Sequence, residues 1–320
     1  MSFYEEMNPA DITIEEIVSS VRKFLPDISF KSIRFFYHGT YNVFEIDKKY
    51  ILRISDREFR NNQGLEMLRS ESEILKFLKK KLTLAIPEIL YLHDSTKIPF
   101  SIHQKIPGKS LVFVIQELSL VQKKSIGAKI GKFLSRFHSK ELKDEYLKCF
   151  SKWKEFFSSD KDFLRSFRKK CFTWFEEAKE IAYQYLNQNQ QDWLTKIFED
   201  YLNNDDNFTF SPRLSHNDFD TSNILIDPKS AKLTGIIDFE ECNIWDPAVD
   251  LLFFDEGPEF IKAILDNYKY SNQKSLKARM KFFYSQTCTP YLVWGTQHNR
   301  PGMIEEGLKR IRKNMKMFPK

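Results

Sequence analysis

The stretch Leu214–Asp250, LSHNDFDTSNILIDPKSAKLTGIIDFEECNIWDPAVD, decides how this chain is read. Two short apolar runs, Ile224–Ile226 and Leu233–Ile237, stand among His216, Asn217, Asp218, Asn223, Asp238, Asp246 and Asp250. An apolar run that ends in acid, repeated after one turn, is how paired strands carry carboxylates to the edge of a core.

The residue types also define a chemistry. Asp218 can accept a hydroxyl proton and aim a nucleophile, while the Asn223 amide oxygen and the Asp238 carboxylate can hold hard Mg²⁺ ions. The four residues between Asp218 and Asn223 form one loop into a strand, and Asp238 returns at the end of the paired strand. Zinc does not suit the set, because one histidine is nearby and Cys242 lies across a turn.

Working back toward the N-terminus, Thr13 and Glu16 read as a capping box for a helix that Pro26 stops. Three strand-like runs follow, Ser32–Tyr37, Asn42–Ile46 and Tyr50–Ile54. Asp47-Lys48-Lys49 suits a hairpin link, and the loop with Gly39 and Thr40 can lay backbone N–H groups over a phosphate chain. Alternation puts Arg53 on the strand face opposite Leu52 and Ile54, where a cation needs a partner. Glu71 is the acid on the apolar stripe Leu68, Leu75, Leu78 of the next helix, so an Arg53–Glu71 pair is expected. Ala85–Leu90 and Phe100–Ile106 read as two further strands, and Gln104–Gly108 as a hinge.

From Ser119, which forms a capping box with Gln122, the pattern is helical for roughly ninety residues. Ile126, Ile130, Phe133, Leu134 and Phe137 make a buried face on which Gly127 and Gly131 permit close packing. His138, at the end of that helix, reads as a core or capping residue. The aromatic stripes of residues 150–205 read as the cores of two or three amphipathic helices.

With 320 residues the chain is long enough for two lobes. Thirty phenylalanines against ten glycines point to a core filled with aromatics. The net charge of +6 is spread over short basic runs on helical segments, which reads as solvated faces and not as a nucleic-acid or membrane surface. The four cysteines form no CxxC pair, so a reducing cytoplasm is the expected setting. The N-terminus lacks the pattern of a signal peptide, and no apolar run approaches the ~18 residues of a membrane span.

At this point the motifs carry a resemblance. HNDFDTSN, His216–Asn223, resembles the HxDxxxxN catalytic loop of the aminoglycoside phosphotransferase and kinase-like superfamily. IDFE, Ile237–Glu240, resembles its metal motif, and Asp246-Pro247 with Asp250 its DPxxD. GTYNVFEIDKKYILRI resembles the nucleotide loop and third strand, ESEILKFL the Glu-bearing helix, and KIPGKSL the hinge. The wording of HNDF, LTGIIDF and the final TCTPYLVWGTQHNRPGMIEEGLKRIRK is similar to that of the aminoglycoside 2''-phosphotransferases.

The resemblance implies an α+β, bilobal protein-kinase-like fold: a small β-rich lobe over residues 1–103, a hinge at 104–108, and a large, mostly helical lobe over 109–320. It implies Mg²⁺-dependent transfer of the γ-phosphoryl group of ATP or GTP to a hydroxyl of a small cationic acceptor, foremost an aminoglycoside, as in a resistance kinase. Asp218 would be the catalytic base, braced by His216, with Asn223 and Asp238 on the metal. Arg53 would contact phosphates with Glu71 anchoring it, Gly39 and Thr40 would cover them, and Gln104, Lys105 and Ile106 would meet the purine. Asp246 and Asp250 would be structural. Arg53 departs from the lysine usual in the 2'' subgroup, and a planar guanidinium is not equivalent to an ammonium. Asp220, Glu240, Glu241, Asp255, Glu256 and Glu259 gather acid after the catalytic and metal motifs, which suits a polycationic acceptor.

A cytoplasmic monomer that binds neither nucleic acid nor membrane is expected. The rival readings are a metabolic or macrolide kinase of the same fold and a catalytically silent nucleotide-binding module. A protein kinase does not fit, because GxGxxG, HRD and APE are all missing from the sequence.

Overall fold

The computed structural model describes residues 14–26, 28–56, 59–270 and 275–319. The chain divides into two compact units, Met1–Val114 with Ser222–Glu240, and Ile115–Thr221 with Glu241–Lys320.

The first unit opens with helix α1 (Ile14–Phe24); Thr13, the expected cap residue, lies outside the described residues. A five-stranded antiparallel sheet follows, built from β1 (Ile33–His38), β2 (Tyr41–Ile46), β3 (Tyr50–Ser55), β4 (Ile89–His93) and β5 (Phe100–Gln104) in the order β1-β2-β3-β5-β4. Asp47 and Lys48 both take positive φ, 52° and 57°, and the Lys49 amide closes on the Ile46 carbonyl at 3.0 Å. This mirror-image turn matches the twist of the β2–β3 hairpin. Strand alternation separates two cores. Phe44, Ile46, Leu52, Ile54, Phe100 and Ile102 pack with Val21 of α1, whereas Tyr41 and Val43 pack with Leu68 of α2 (Asn62–Leu78).

The strand expected at Ala85–Leu90 is displaced: Ala85 makes an isolated bridge to Gly235, and pairing in the sheet begins only at Ile89. Pro87, which has no N–H, accounts for the gap. Short β6 (Lys109–Ser110) pairs with β8 (Ile224–Asp227), which pairs with β9 (Lys232–Ile236). These ladders are why the strands bearing the second half of the key stretch belong to the first unit. Gly108, with φ +131°, lets β6 pass close to β8, since a Cβ there would meet the Ile226 carbonyl oxygen at 2.8 Å.

The second unit is helical. It holds α3 (Leu120–Phe137), α4 (Lys140–Cys149), α5 (Lys152–Phe156), α6 (Asp160–Glu177) and α7 (Gln188–Leu202). A two-stranded ribbon of β7 (Arg213–Ser215) and β10 (Asn243–Trp245) follows, then α8 (Pro258–Asp266), α9 (Leu276–Gln286), α10 (Cys288–Gln297) and α11 (Pro301–Met317). The Ser119–Gln122 capping box forms as the sequence predicts. The buried face of α3 meets α8 through its glycines: a Cβ on Gly127 would lie 2.9 Å from the Phe260 carbonyl oxygen, and one on Gly131 would lie 2.3 Å from that of Ile264. All four cysteines are free. Among the described residues no helix is long and apolar enough to cross a membrane.

Candidate active site

Arg53 lies on the β3 face that meets α2 and is 6% exposed. Its Nη1 donates to Glu71 Oε2 at 2.5 Å, the pair expected from the helix periodicity. Nη2 donates to Glu240 Oε2 at 3.2 Å and lies 3.6 Å from Asp238 Oδ1, while the guanidinium sits 4.1 Å from the centroid of the Tyr41 ring. Burial opposes the charge, but the carboxylates of Glu71, Asp238 and Glu240 outweigh it and hold Arg53 protonated. Burial lifts Glu240 to about 8, with Arg53 pulling against the rise and Asp238 and Glu71 adding to it. Burial, with Arg53 nearby, drops His103 to about 3, so its ring is neutral.

Asp238 sits just past β9 with φ +68°, a conformation that Asp tolerates better than most residues. Its Oδ1 is buried without a hydrogen-bond donor among the described residues. The Ile237 amide donates to the Asn223 carbonyl at 3.0 Å, so the backbone registers the buried Asn223 beside the Asp238 segment. The Asn223 side-chain amide oxygen and the Asp238 carboxylate are hard oxygen donors of the type Mg²⁺ takes.

The other two nucleotide segments are partly committed to the fold. The Gly39 amide donates to the Tyr41 carbonyl at 2.9 Å, which removes it from the N–H groups expected to cover phosphates; the Thr40 carbonyl accepts the Asp56 amide at 3.0 Å. The Lys105 amide donates to Lys49 O at 2.8 Å, the Lys105 ammonium pairs with Glu45, and Gln104 stays in the β5 ladder. Ile106 makes no backbone hydrogen bond among the described residues.

The second unit carries His216 and Asp218. β7 ends at Ser215, and the chain turns through Asn217 at φ +68° to expose Asp218. Fully buried Asp250 holds this turn: its Oδ2 accepts the His216 amide at 2.7 Å and its Oδ1 the Asn217 amide at 2.9 Å. Behind Asp250, His138 Nε2 lies 2.9 Å from Oδ2 and Nδ1 lies 2.8 Å from the Tyr268 hydroxyl, placing His138 in the core as its sequence position predicts. Asp246 caps the 3₁₀ turn Pro247–Leu251 through the Ala248 amide at 2.9 Å and takes the Arg279 Nε at 2.8 Å. The His216 ring meets Phe219 edge to face, 5.5 Å between centroids.

Five of the six acids proposed for the acceptor belong to the second unit. Asp220, Asp255 and Glu256 share one electrostatic neighbourhood; burial, then Asp255, push Glu256 up to about 7, and its Oε1 accepts the Thr221 hydroxyl at 3.3 Å. Asp255 also accepts the Tyr284 hydroxyl and pairs with Lys313 at 2.5 Å. Glu259 faces Lys124 at 2.6 Å on the exposed side of α8, and Glu241 contributes its carbonyl to the Asn217 side chain at 2.8 Å. Glu240 belongs to the first unit, on Arg53. Tyr291, which the sequence reading passed over, lies within electrostatic reach of Asp218 and Asp220, and its hydroxyl is raised to about 12, first by burial. The second donor pair of an arginine fork was the available signal for Glu240; nothing in the sequence marks Tyr291.

Known structures give the fold. The GDP and kanamycin complex of APH(2")-IIia matches with a TM-score of 0.81 at 20% identity, over 94% of this chain and 99% of that one. The streptomycin–ATP–APH(2")-IIa ternary complex matches at 0.67 and 24%, over 94% and 97%. A Plasmodium vivax ethanolamine kinase matches at 0.55 and 16%, over 92% and 84%. The fold is therefore the α+β protein-kinase-like fold of the aminoglycoside 2''-phosphotransferases. A family model described as the phosphotransferase enzyme family matches residues 32–283, and the chain belongs to that family as an enzyme of the small-molecule kinase class.

Proposed function

We propose that the protein transfers the γ-phosphoryl group of ATP or GTP to a hydroxyl of a small cationic acceptor, foremost an aminoglycoside. The observation that carries this reading is the Arg53 node: a buried guanidinium anchored by Glu71, beside Asp238, whose Oδ1 has no hydrogen-bond donor among the described residues. Asn223 and Asp238 would hold Mg²⁺, whose chemistry is to neutralise charge on the phosphates. No three acidic, histidine or cysteine side chains converge on a metal position among the described residues, so phosphate and water oxygens would complete the coordination. Arg53 holds a phosphate by charge, and the uncommitted backbone of Ile106 meets the purine at the hinge, Gln104–Gly108.

Asp218 accepts the proton of the acceptor hydroxyl as its oxygen bonds to the γ-phosphorus and the bond to the leaving nucleoside diphosphate breaks. Asp250 fixes the turn from which Asp218 projects. The acids Asp220, Asp255 and Glu256 favour a cationic acceptor and disfavour an anionic one. The free cysteines suit a cytoplasmic setting.

The test is release of ADP or GDP with both nucleotides against a panel of aminoglycosides, choline, ethanolamine, homoserine and macrolides. Turnover confined to the non-aminoglycoside set would overturn the acceptor assignment. Asp218→Ala should lower turnover by about 10²–10⁴-fold while leaving nucleotide affinity unchanged; wild-type turnover in that variant would remove Asp218 as the base.

A further inference from the structure

The second unit contains a cavity of about 550 Å³ walled by α4, the α5–α6 segment and the start of β7. Arg213 on β7 is 8% exposed, and Lys143 on α4 is 5% exposed. Burial of two cations in one wall calls for anionic partners. Lys143 has one, Asp160 at 2.5 Å. Arg213 has no carboxylate among the described residues: its Nη1 donates to the Pro212 carbonyl at 3.0 Å, and its guanidinium lies 5.8 Å from the Tyr270 ring centroid. On the rim, Lys140 is taken by Asp144 at 2.5 Å, whereas Lys154 has no carboxylate among the described residues. Two positive charges on the lining are thus left without a carboxylate.

The lining also carries aromatic surface. Trp153 is 9% exposed, its indole N–H is closed off from solvent, and its ring is stacked on Phe163 at 5.9 Å and lies against Phe157 at 5.3 Å between centroids. Phe157 is half-buried and also lines the cavity. The wall therefore combines two cations without a carboxylate and an accessible aromatic ring. Lys143 is depressed, first by burial and also by Arg213, as expected for cations facing one space.

We infer that this cavity is a binding site for a phosphate monoester carrying a planar apolar group. The dianion answers Arg213 and Lys154, and the planar group lies on Phe157. A monoanionic carboxylate would leave one cation unmatched. The site is independent of the proposed transfer reaction, because it uses none of the residues assigned to nucleotide, metal or acceptor.

The experiment is calorimetric titration of the whole protein, without nucleotide or acceptor, using phenyl phosphate, inorganic phosphate, benzoate and benzyl alcohol at low ionic strength. Saturable one-to-one binding of phenyl phosphate is expected, about tenfold tighter than either single-feature anion. Arg213→Gln should weaken it about tenfold, and Lys154→Ala, at an exposed position that leaves the fold intact, about threefold. Absence of saturation, equal binding of benzyl alcohol, or wild-type affinity in Lys154→Ala and in any folded Arg213→Gln would overturn the site. Equal binding of inorganic phosphate would overturn the ester.

Discussion

Asp250→Asn keeps the shape of the side chain on which the turn into Asp218 hangs and removes its charge. In the wild type, Oδ2 accepts the His216 amide at 2.7 Å and Oδ1 the Asn217 amide at 2.9 Å, with no exposure to water. Asparagine has one oxygen and one NH₂ group, so in either orientation one of these backbone donors faces another donor. Losing a charge-assisted bond costs about 1.5–3 kcal/mol, and a buried donor left without an acceptor costs about 1–3 kcal/mol. The sum is about 2.5–6 kcal/mol, or a fall of about 10 °C in melting temperature. Because the same bonds fix Asn217 in its left-handed conformation, turnover should fall about 100-fold through misplacement of Asp218. Thermal and urea unfolding beside single-turnover kinetics would read both effects. A variant within about 0.5 kcal/mol of wild type, with unchanged turnover, would refute the claim that Asp250 organises the loop.

Arg53→Lys offers one ammonium in place of the two guanidinium nitrogens that reach Glu71 and Glu240, and should lose about 1.5–3 kcal/mol of stability. Adding Glu240→Gln should recover most of that loss, and a urea double-mutant cycle with no coupling would contradict it. Glu256 has a carboxyl raised from 4.5 to about 7, so the folded state binds its proton more tightly than the unfolded chain. That contribution is complete below pH 4.5 and is lost as pH rises through 7. Glu256→Gln, which stays neutral, should therefore melt above wild type at pH 8 and lose that advantage at pH 4.5; an advantage independent of pH would count against the buried acid. Gly131→Ala forces a methyl to within 2.3 Å of the Ile264 carbonyl oxygen and should cost about 1–3 kcal/mol by urea unfolding.

Local pattern made much of this molecule readable in advance. The two hairpin strands around Asp47–Lys49, the capping box at Ser119 and the α3 face all follow from periodicities that span a few residues. The Arg53–Glu71 pair was legible because one acid stood on an otherwise apolar stripe. Glu240 was not, because its place depends on a contact between residues far apart in sequence, and an acid after a metal motif reads equally well as acceptor-facing. The commitment of the Gly39 amide to Tyr41 is set by turn geometry that no residue type announces. Likewise, Asn223 and Asp238 fall in the first unit because β8 pairs with β6, a two-residue ladder too short to leave a sequence signature.

The Arg53 node also bears on how this protein could change over generations. Arginine serves Glu71 with one nitrogen and Glu240 with the other. Replacing Arg53 first by lysine leaves one ammonium to serve both Glu71 and Glu240, whereas replacing Glu240 first leaves Arg53 still tied to Glu71. The two routes to a lysine-based site therefore cross different intermediates, and only the one that begins at position 240 stays on stable ground. A selection experiment that recovers lysine at position 53 should find it arising in lineages that have already lost Glu240.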